Sequence, residues 1–246
     1  IFNRGGIMKI LVRSGTNTKN TPSDSKDAFL LAINTNYVDG IEVNLNLTKD
    51  GNIIVYNDNS FMGHPKHKIS DLTLADISKY NLGTKVKKHN IITLEGLLEL
   101  FKTTTKLLVL NLENHGENNN IFIDKIVQII NNYPNDNIYV KSPCKEIVLN
   151  IKDRVDKAHT GAVIRNSEGY FWGLDLDFYS ISVQDVSLLE CCNNINNQVN
   201  QNHLIMLGDI TNSNEYKEIK NYLGDNIMDN SYIITSNVVN LAEDII

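Results

Sequence analysis

Short apolar segments alternate with longer amphipathic segments along the 246 residues of the chain. The short segments are rich in Ile, Val and Leu at nearly every position, as is typical of strands buried on both faces of a parallel sheet. Eight segments are predicted as strands: 9–13, 41–47, 107–112, 137–141, 161–165, 179–183, 204–207 and 232–235. The amphipathic periodicity predicts helices at 25–34, 73–80, 93–101, 121–130, 214–222 and 238–245.

Eight strands that alternate with helices favour a (β/α)8 barrel of the α/β class, with an open doubly wound sheet as the alternative. The chain length suits one such barrel, so we expect a single domain over residues 1–246. The alternation is interrupted after the second strand, where residues 52–56 predict an extra short strand and an insertion of about residues 57–90 follows. Segments that follow barrel strands lie on the face that carries active sites. Asparagine-rich stretches at 118–120 and 193–197 are interpreted as polar loops.

Charge and composition narrow the classes of partner. The chain has 23 Lys and Arg against 29 Asp and Glu, a net charge of −6, which argues against nucleic acid or an anionic membrane as the main partner. No apolar run reaches the roughly 18 residues of a membrane span. Three cysteines, Cys144, Cys191 and Cys192, fit neither a disulfide framework nor a metal motif. We therefore expect free thiols in a reducing, cytoplasmic compartment, without a signal peptide in the short polar start. No feature indicates a protein partner.

The segment 39–51 reads D-G-I-E-V-N-L-N-L-T-K-D-G and is followed by an apolar run and by Asn57-Asp58. This pattern resembles the second strand of the glycerophosphodiester phosphodiesterases, which reads roughly D-G-x-E-x-D-x-x-x-T-K-D-G and then an apolar run that ends in His-Asp. Further similarities lie at 22–29, 69–73, 92–95, 111–113, 142 and 233–235. The resemblance spans nearly the whole chain and implies a (β/α)8 barrel and a phosphoric diester hydrolase of lipid metabolism. The T-K-D-G stretch by itself predicts a tight turn into the extra strand.

The resemblance also implies a divalent cation, Mg²⁺ or Ca²⁺, held by Glu42, by an aspartate where this chain has Asn44, and by Glu113. Glu42 and Asn44 are two positions apart and therefore share one face of a strand. Replacing a carboxylate with a neutral amide leaves two charged ligands, so we expect weak or absent metal binding. The two family histidines that exchange protons are replaced by Arg13 and Asn57. Near pH 7 arginine stays charged and an amide stays neutral, so neither side chain can act as an acid or a base.

Four residues remain as candidates for binding a phosphate-like ligand: Arg13, Asp58, His115 and Ser142. Arg13 is expected to pair with Glu42 or Glu113 and to supply positive charge in place of the metal, whereas Asp58 has the alternative of capping a turn. His115 follows Glu113 by two positions, where the family has a lysine, and is the candidate substitute for the missing histidines; His64 and His67 lie in the insertion. Three hypotheses follow: a catalytically impaired relative (a pseudoenzyme) with an anion-binding mouth, an active phosphodiesterase with a rearranged catalytic set, or a structural or interaction protein.

Overall fold

The structure is a computed structural model that describes residues 8–18, 20–60, 67–83, 87–165, 171–184, 187–225 and 231–235. Its strands are β1 Lys9–Arg13, β2 Gly40–Leu47, β3 Ile53–Val55, β4 Ile92–Thr93, β5 Leu107–Leu112, β6 Ile138–Ser142, β7 His159–Ile164, β8 Phe178–Ser182, β9 Leu204–Ile210 and β10 Ser231–Thr235. Its α-helices are α1 Lys26–Asn34, α2 Leu74–Ile77, α3 Leu94–Phe101, α4 Asn119–Asn131, α5 Lys145–Arg154, α6 Leu188–Asn200 and α7 Ser213–Leu223. None of the helices in these ranges has the length and apolar character that a membrane crossing requires.

Eight of the strands close into a barrel. β1 pairs with both β2 and β10, and the ring continues through β9, β8, β7, β6 and β5 back to β2. Every pairing in this ring is parallel, which confirms the predicted (β/α)8 barrel and excludes the open sheet. β3 and β4 stand outside the ring, since β3 pairs antiparallel with β2 and β4 pairs antiparallel with β3.

The barrel interior is closed at one end by an apolar cluster from strands that are not all neighbours: Leu11, Val109, Phe178 and Met206. Such a cluster can form only across the lumen, where side chains of alternate strands meet in layers. Two larger apolar clusters fill the space between strands and outer helices. The lumen is therefore packed at its amino-terminal end, and a polar layer is confined to the carboxyl ends of the strands.

Local signals account for the helix starts and for the turn after β2. Ser25 and Thr93 precede α1 and α3, and their hydroxyls accept hydrogen bonds from backbone N–H groups three residues later, as N-caps do. Thr48 donates to the Asp50 carboxylate at 2.7 Å, and Gly51 has a φ of +79°, which a residue without Cβ adopts at little cost. These features confirm the helices predicted at 25–34 and 93–101 and the predicted tight turn into β3.

Two parts of the sequence prediction are wrong. Helices α5 and α6 were not predicted, and the asparagine-rich stretch 193–197 lies inside α6 rather than in a loop. Asn119 and Asn120 likewise begin α4. Burial of Cys191 and Ile195 on one face of α6 offsets the weak helix propensity of the exposed asparagines, because packing supplies most helical stability in proteins. The predicted helix at 238–245 lies outside the described residues.

Candidate functional site

The polar layer sits directly above the apolar cluster of the lumen. Successive side chains of a strand alternate between its faces, so the residue two positions after a lumen residue also points into the lumen. Together with residues at the strand ends, this layer lines a cavity of about 70 Å³, which we call the barrel mouth. Its polar side chains belong to Arg13, Glu42, Asn111, Glu113, Lys141, Arg165, Ser180, Ser182 and Asp209.

The carboxylate of Glu42 is paired with a lysine that the sequence analysis did not identify. Lys141 Nζ lies 2.6 Å from Glu42 Oε2 and donates to Ser180 Oγ at 2.9 Å. The side chains of Glu42 and Lys141 are only 2% and 6% exposed. Arg13 Nε lies 3.7 Å from the other oxygen, Oε1. A charge buried this deeply requires a partner of opposite sign, and Glu42 has two.

Arg13 also forms an ion pair with Asp209, a second residue that the sequence analysis missed. Its Nη1 donates to Asp209 Oδ1, and the Ser182 hydroxyl donates to Asp209 Oδ2 at 2.9 Å. Asp209 has a φ of +63°, an uncommon backbone conformation for a residue with a side chain. Arg13 therefore bridges β2 and β9 through two carboxylates, which agrees with its expected pairing with Glu42 and extends it.

Glu113 is paired at the outer rim of the mouth. Arg165 Nη2 lies 2.6 Å from Glu113 Oε1, and the two side chains are 53% and 29% exposed. Water screens such a pair, so it contributes much less stability than the buried Glu42–Lys141 pair. Within the barrel mouth, the three carboxylates of Glu42, Glu113 and Asp209 thus face three cations, and the formal charge is zero.

Three amides continue the polar layer beside the ion pairs. Asn111 Nδ2 donates to Asn44 Oδ1 at 2.9 Å and lies 3.4 Å from Glu113 Oε1. Asn44 Nδ2 in turn donates to Asn57 Oδ1 and to the Asn57 carbonyl, both at 3.1 Å. The oxygen of Asn44 therefore accepts from an amide and is not directed at the carboxylates of Glu42 and Glu113.

The implied metal ligands Glu42, Asn44 and Glu113 are not arranged to bind a divalent cation. Lys141 and Arg13 hold Glu42, Arg165 holds Glu113, and the Asn44 oxygen is taken by Asn111. An ion at this position would have to displace two or three cationic side chains and would meet only two carboxylates from the implied ligands, whereas Mg²⁺ and Ca²⁺ prefer several free oxygen ligands. Among the described residues, no group of three or more His, Cys, Asp or Glu side chains has a metal-binding arrangement.

A buried carboxyl group lies on the other side of Arg13. Asp24 Oδ2 accepts the backbone N–H of Asn57 at 3.1 Å, and Asp24 is 3% exposed. Burial raises the pKa of Asp24 to about 6, against the opposing effect of hydrogen bonds from Ser14 and Asn57. Asp24 lines a cavity of about 620 Å³ together with Arg13, Asn57 and Asp58. The sequence analysis did not identify Asp24, although the segment 22–29 that contains it is one of the resemblances.

The remaining candidates are not part of the barrel mouth. The ring of His115 packs on Phe122 with centroids 4.2 Å apart and lines a different cavity from that of Glu113, unlike the arrangement expected from its position. Ser142 is fully buried, donates to the Leu112 carbonyl at 2.7 Å and accepts the Cys144 N–H at 3.0 Å, so it ties β6 to β5. Asp58 is exposed and lines the Asp24 cavity.

Among the histidines of the insertion, His67 Nδ1 lies 3.2 Å from the Tyr80 hydroxyl, within the insertion itself. His64 lies outside the described residues.

Solved structures with the same architecture identify the fold. The chain superposes with a TM-score of 0.78 on a proposed glycerophosphodiester phosphodiesterase from Galdieria sulphuraria, at 16% identity and with 98% of each chain covered. A glycerophosphodiester phosphodiesterase from Parabacteroides distasonis gives 0.75 at 16% identity, covering 95% of this chain and 94% of that one. The chain has the fold of the glycerophosphodiester phosphodiesterases. An Oleispira antarctica phosphodiesterase, solved with the product sn-glycerol-3-phosphate, gives 0.77 at 13% identity, covering 93% and 92%.

Two sequence relatives of this chain come from mycoplasmas. An uncharacterized protein of Mycoplasma pneumoniae is 32% identical over 101 residues, which cover 39% of this chain and 43% of that protein. An uncharacterized protein of Mycoplasma genitalium is 27% identical over 154 residues, or 60% and 65% of the two chains. The matched segments thus span less than two thirds of either relative. No family model matches the sequence.

Proposed function

We propose that the chain is a catalytically impaired, glycerophosphodiester phosphodiesterase-like protein whose barrel mouth binds a small phosphate-bearing anion. The observation that carries the proposal is the buried contact of 2.6 Å between Lys141 Nζ and Glu42 Oε2. A fixed ammonium group beside Glu42, with Arg13 on its other oxygen, supplies positive charge where the resemblance implies a divalent cation. Unlike a metal ion, an ammonium group cannot lower the pKa of a bound water to generate a nucleophile.

Hydrolysis of a phosphodiester needs a base for the attacking oxygen and an acid for the departing alkoxide. A placed proton donor or acceptor typically contributes about 10²–10⁴-fold to the rate. Arg13 and Asn57 stand at the two positions where the resemblance puts histidines, and neither can supply this chemistry near pH 7. Binding the phosphate tightly in its ground state does not speed the reaction. We therefore expect the mouth to hold an anion rather than cleave an ester.

Two guanidinium groups support the anion assignment. Arg13 and Arg165 line the barrel mouth, each in an ion pair with a carboxylate, and their side chains are 32% and 53% exposed. An anion would bind there by exchanging one of these carboxylate contacts for its own. A guanidinium has five N–H donors, and Arg13 Nε is buried without a hydrogen-bond partner among the described residues. Because a water needs about 10–15 Å³, the cavity of about 70 Å³ has room for a group of phosphate size. The Oleispira phosphodiesterase, solved with sn-glycerol-3-phosphate, supports a phosphate monoester as the class of ligand.

One observation favours a second candidate, an active phosphodiesterase with a rearranged catalytic set. The pKa of Asp24 is about 6, so this carboxyl can exchange a proton near neutral pH, and it contacts the loop that carries Asn57. In this alternative Asp24 replaces one of the two missing histidines, acting from the Asp24 cavity. Activity that falls sharply in Asp24→Asn would favour the second candidate.

The two candidates are separated by measuring turnover and binding on the same protein. Purified chain is incubated with glycerophosphocholine and Mg²⁺, Ca²⁺ or Mn²⁺, and sn-glycerol-3-phosphate is titrated by calorimetry without metal. We expect no turnover, and we expect one binding step, assigned to the mouth, to weaken at least about tenfold in Arg13→Gln. Lys157→Gln, an exposed residue outside the mouth, is the control for the lost charge. Turnover of about 1 s⁻¹ or faster, in the ordinary enzyme range, would contradict impaired catalysis. Absence of a binding step that depends on Arg13 would contradict the anion assignment.

A further inference from the structure

A third cavity, of about 420 Å³, lies between the turn after β2, the insertion and the connection from β5 to α4. We call it the His115 cavity. Three basic residues line it, Lys49, Lys68 and His115, and its other polar lining consists of amide and hydroxyl side chains. No Asp or Glu occurs among the described lining residues, although the whole chain carries a net charge of −6. A volume of this size lies in the range of small-molecule sites.

The two lysines are fixed by their backbones while their ammonium groups remain available. The N–H of Lys49 donates to the Leu72 carbonyl at 2.9 Å, and Lys68 forms a backbone bridge with Ser60. Within the described ranges, no carboxylate lies in ion-pair distance of either ammonium, whereas Lys79 and Lys152 do pair with carboxylates. Two exposed lysines that line one cavity and have no counter-ion among the described residues favour binding of an anion.

His115 contributes its ring to the wall of this cavity. Its backbone N–H is held by Asn119 Oδ1 at 2.6 Å and its ring rests on Phe122, so the orientation of the ring is set. Nε2 is buried and has no hydrogen-bond partner among the described residues. Burial lowers the pKa of His115, partly offset by the Leu45 carbonyl and by Glu113. The ring therefore shapes the wall of the cavity, and the polar contacts to a ligand come from other lining residues.

Asn46 adds a buried amide to the lining of the cavity. It is 3% exposed, and its Nδ2 donates to the carbonyls of Tyr56 at 2.9 Å and Asp58 at 3.3 Å. Both donors of its amide are thereby engaged, which leaves Oδ1 to accept a hydroxyl. A site lined by two cations and a neutral acceptor matches a molecule with an anionic group and hydroxyl groups.

We propose that the His115 cavity binds a small hydroxylated molecule that carries a phosphate or sulfate group, at a site separate from the barrel mouth. Lys49 and Lys68 neutralise the anionic group, and Asn46 accepts a hydroxyl of the ligand. The side chains of Arg13 and Arg165 do not line this cavity. The proposal therefore does not depend on the function proposed for the mouth.

The test uses the full chain, ¹⁵N-labelled, with sn-glycerol-3-phosphate and inorganic sulfate as probes at constant ionic strength. We expect saturable shifts of the backbone signals of Lys49, Lys68 and His115, and affinity at least about tenfold lower in the double variant Lys49→Gln/Lys68→Gln. The matched control Lys88→Gln/Lys157→Gln removes the same charge from exposed positions outside the cavity and should leave the affinity unchanged.

Arg13→Gln distinguishes this site from the mouth, because it should leave the shifts at Lys49, Lys68 and His115 intact. Unchanged affinity at these signals in Lys49→Gln/Lys68→Gln would overturn the proposal, and so would the absence of saturable shifts at millimolar probe. Shifts that disappear in Arg13→Gln would assign the ligand to the mouth instead. If sulfate binds as tightly as sn-glycerol-3-phosphate, the proposed contact between Asn46 and a ligand hydroxyl is wrong.

Discussion

Lys141 Nζ lies 2.6 Å from Glu42 Oε2 across the barrel lumen, and both side chains are almost completely buried. The two residues are 99 positions apart in the chain and lie on strands separated by β5. Their contact explains how a carboxylate can remain in the polar layer directly above the apolar cluster of the lumen. It also means that a metal ion or a ligand that binds Glu42 has to compete with Lys141.

Removing the lysine should destabilise the barrel strongly. In Lys141→Met, Glu42 keeps only the more distant Arg13 as a partner, and breaking a buried pair in this way typically costs about 3–5 kcal/mol. Urea unfolding at neutral pH measures the loss of free energy of unfolding. The double variant Glu42→Gln/Lys141→Met should recover most of it, because no uncompensated charge remains. Lys152→Met, which removes an exposed pair with Asp175, should change little, and a similar effect in both lysine variants would contradict the assigned importance of burial.

Metal affinity should depend on the same pair. The wild-type chain is expected to show no micromolar binding of Mg²⁺ or Ca²⁺, because cations already hold Glu42 and Glu113. Asn44→Asp/Lys141→Met adds one carboxylate and removes one ammonium, so it should bind Ca²⁺ more tightly than wild type in calorimetric titrations. Asn150→Asp, in α5 outside the barrel mouth, controls for the added charge. Micromolar binding by the wild-type protein would show that the ion pairs open readily.

Stability should decrease as the pH rises through the titration of Asp24. The pKa of this carboxyl is raised by burial from 3.8 to about 6, so the folded state holds its proton more tightly than the unfolded state does. The resulting stabilisation is complete below the unfolded pKa and is lost as the pH rises through about 6. A shift of this size corresponds to about 2–3 kcal/mol. Urea midpoints measured from pH 4 to pH 8 should show this decline in wild type but not in Asp24→Asn. Asp58→Asn is the control, and an identical pH dependence in Asp24→Asn would show that Asp24 is not responsible.

Ser142 is expected to matter for stability and not for ligand binding. Ser142→Ala would leave the buried Leu112 carbonyl and Cys144 N–H without their partner, at a typical cost of about 1–3 kcal/mol. Thermal unfolding measures the loss, and calorimetry with sn-glycerol-3-phosphate should give an unchanged affinity. Ser78→Ala, which removes an exposed hydroxyl, serves as the matched control. Weaker ligand binding in Ser142→Ala at full stability would restore Ser142 as a ligand contact.

Local chemistry explains why much of the barrel could be predicted. Ser25 and Thr93 cap their helices through contacts three residues away, and Gly51 permits the turn into β3. Helix α6 was not predicted because its exposed asparagines mask the helical spacing of Cys191 and Ile195 in the sequence. Burial of these two side chains stabilises the helix.

The sequence by itself determined the eight barrel strands, the extra strand β3, most of the helices and the loss of both histidine positions, since each depends on residues that are close in the chain. Only the tertiary structure decided which side chains pair with Glu42 and Glu113. Barrel closure brings Arg13 to Asp209, which is 196 positions away, and Lys141 to Glu42, whereas His115 turns onto Phe122 and away from the barrel mouth. Parallel strands meet at their carboxyl ends whatever their separation in sequence, so the charge balance of the mouth depends on strand register and closure, which no local pattern encodes.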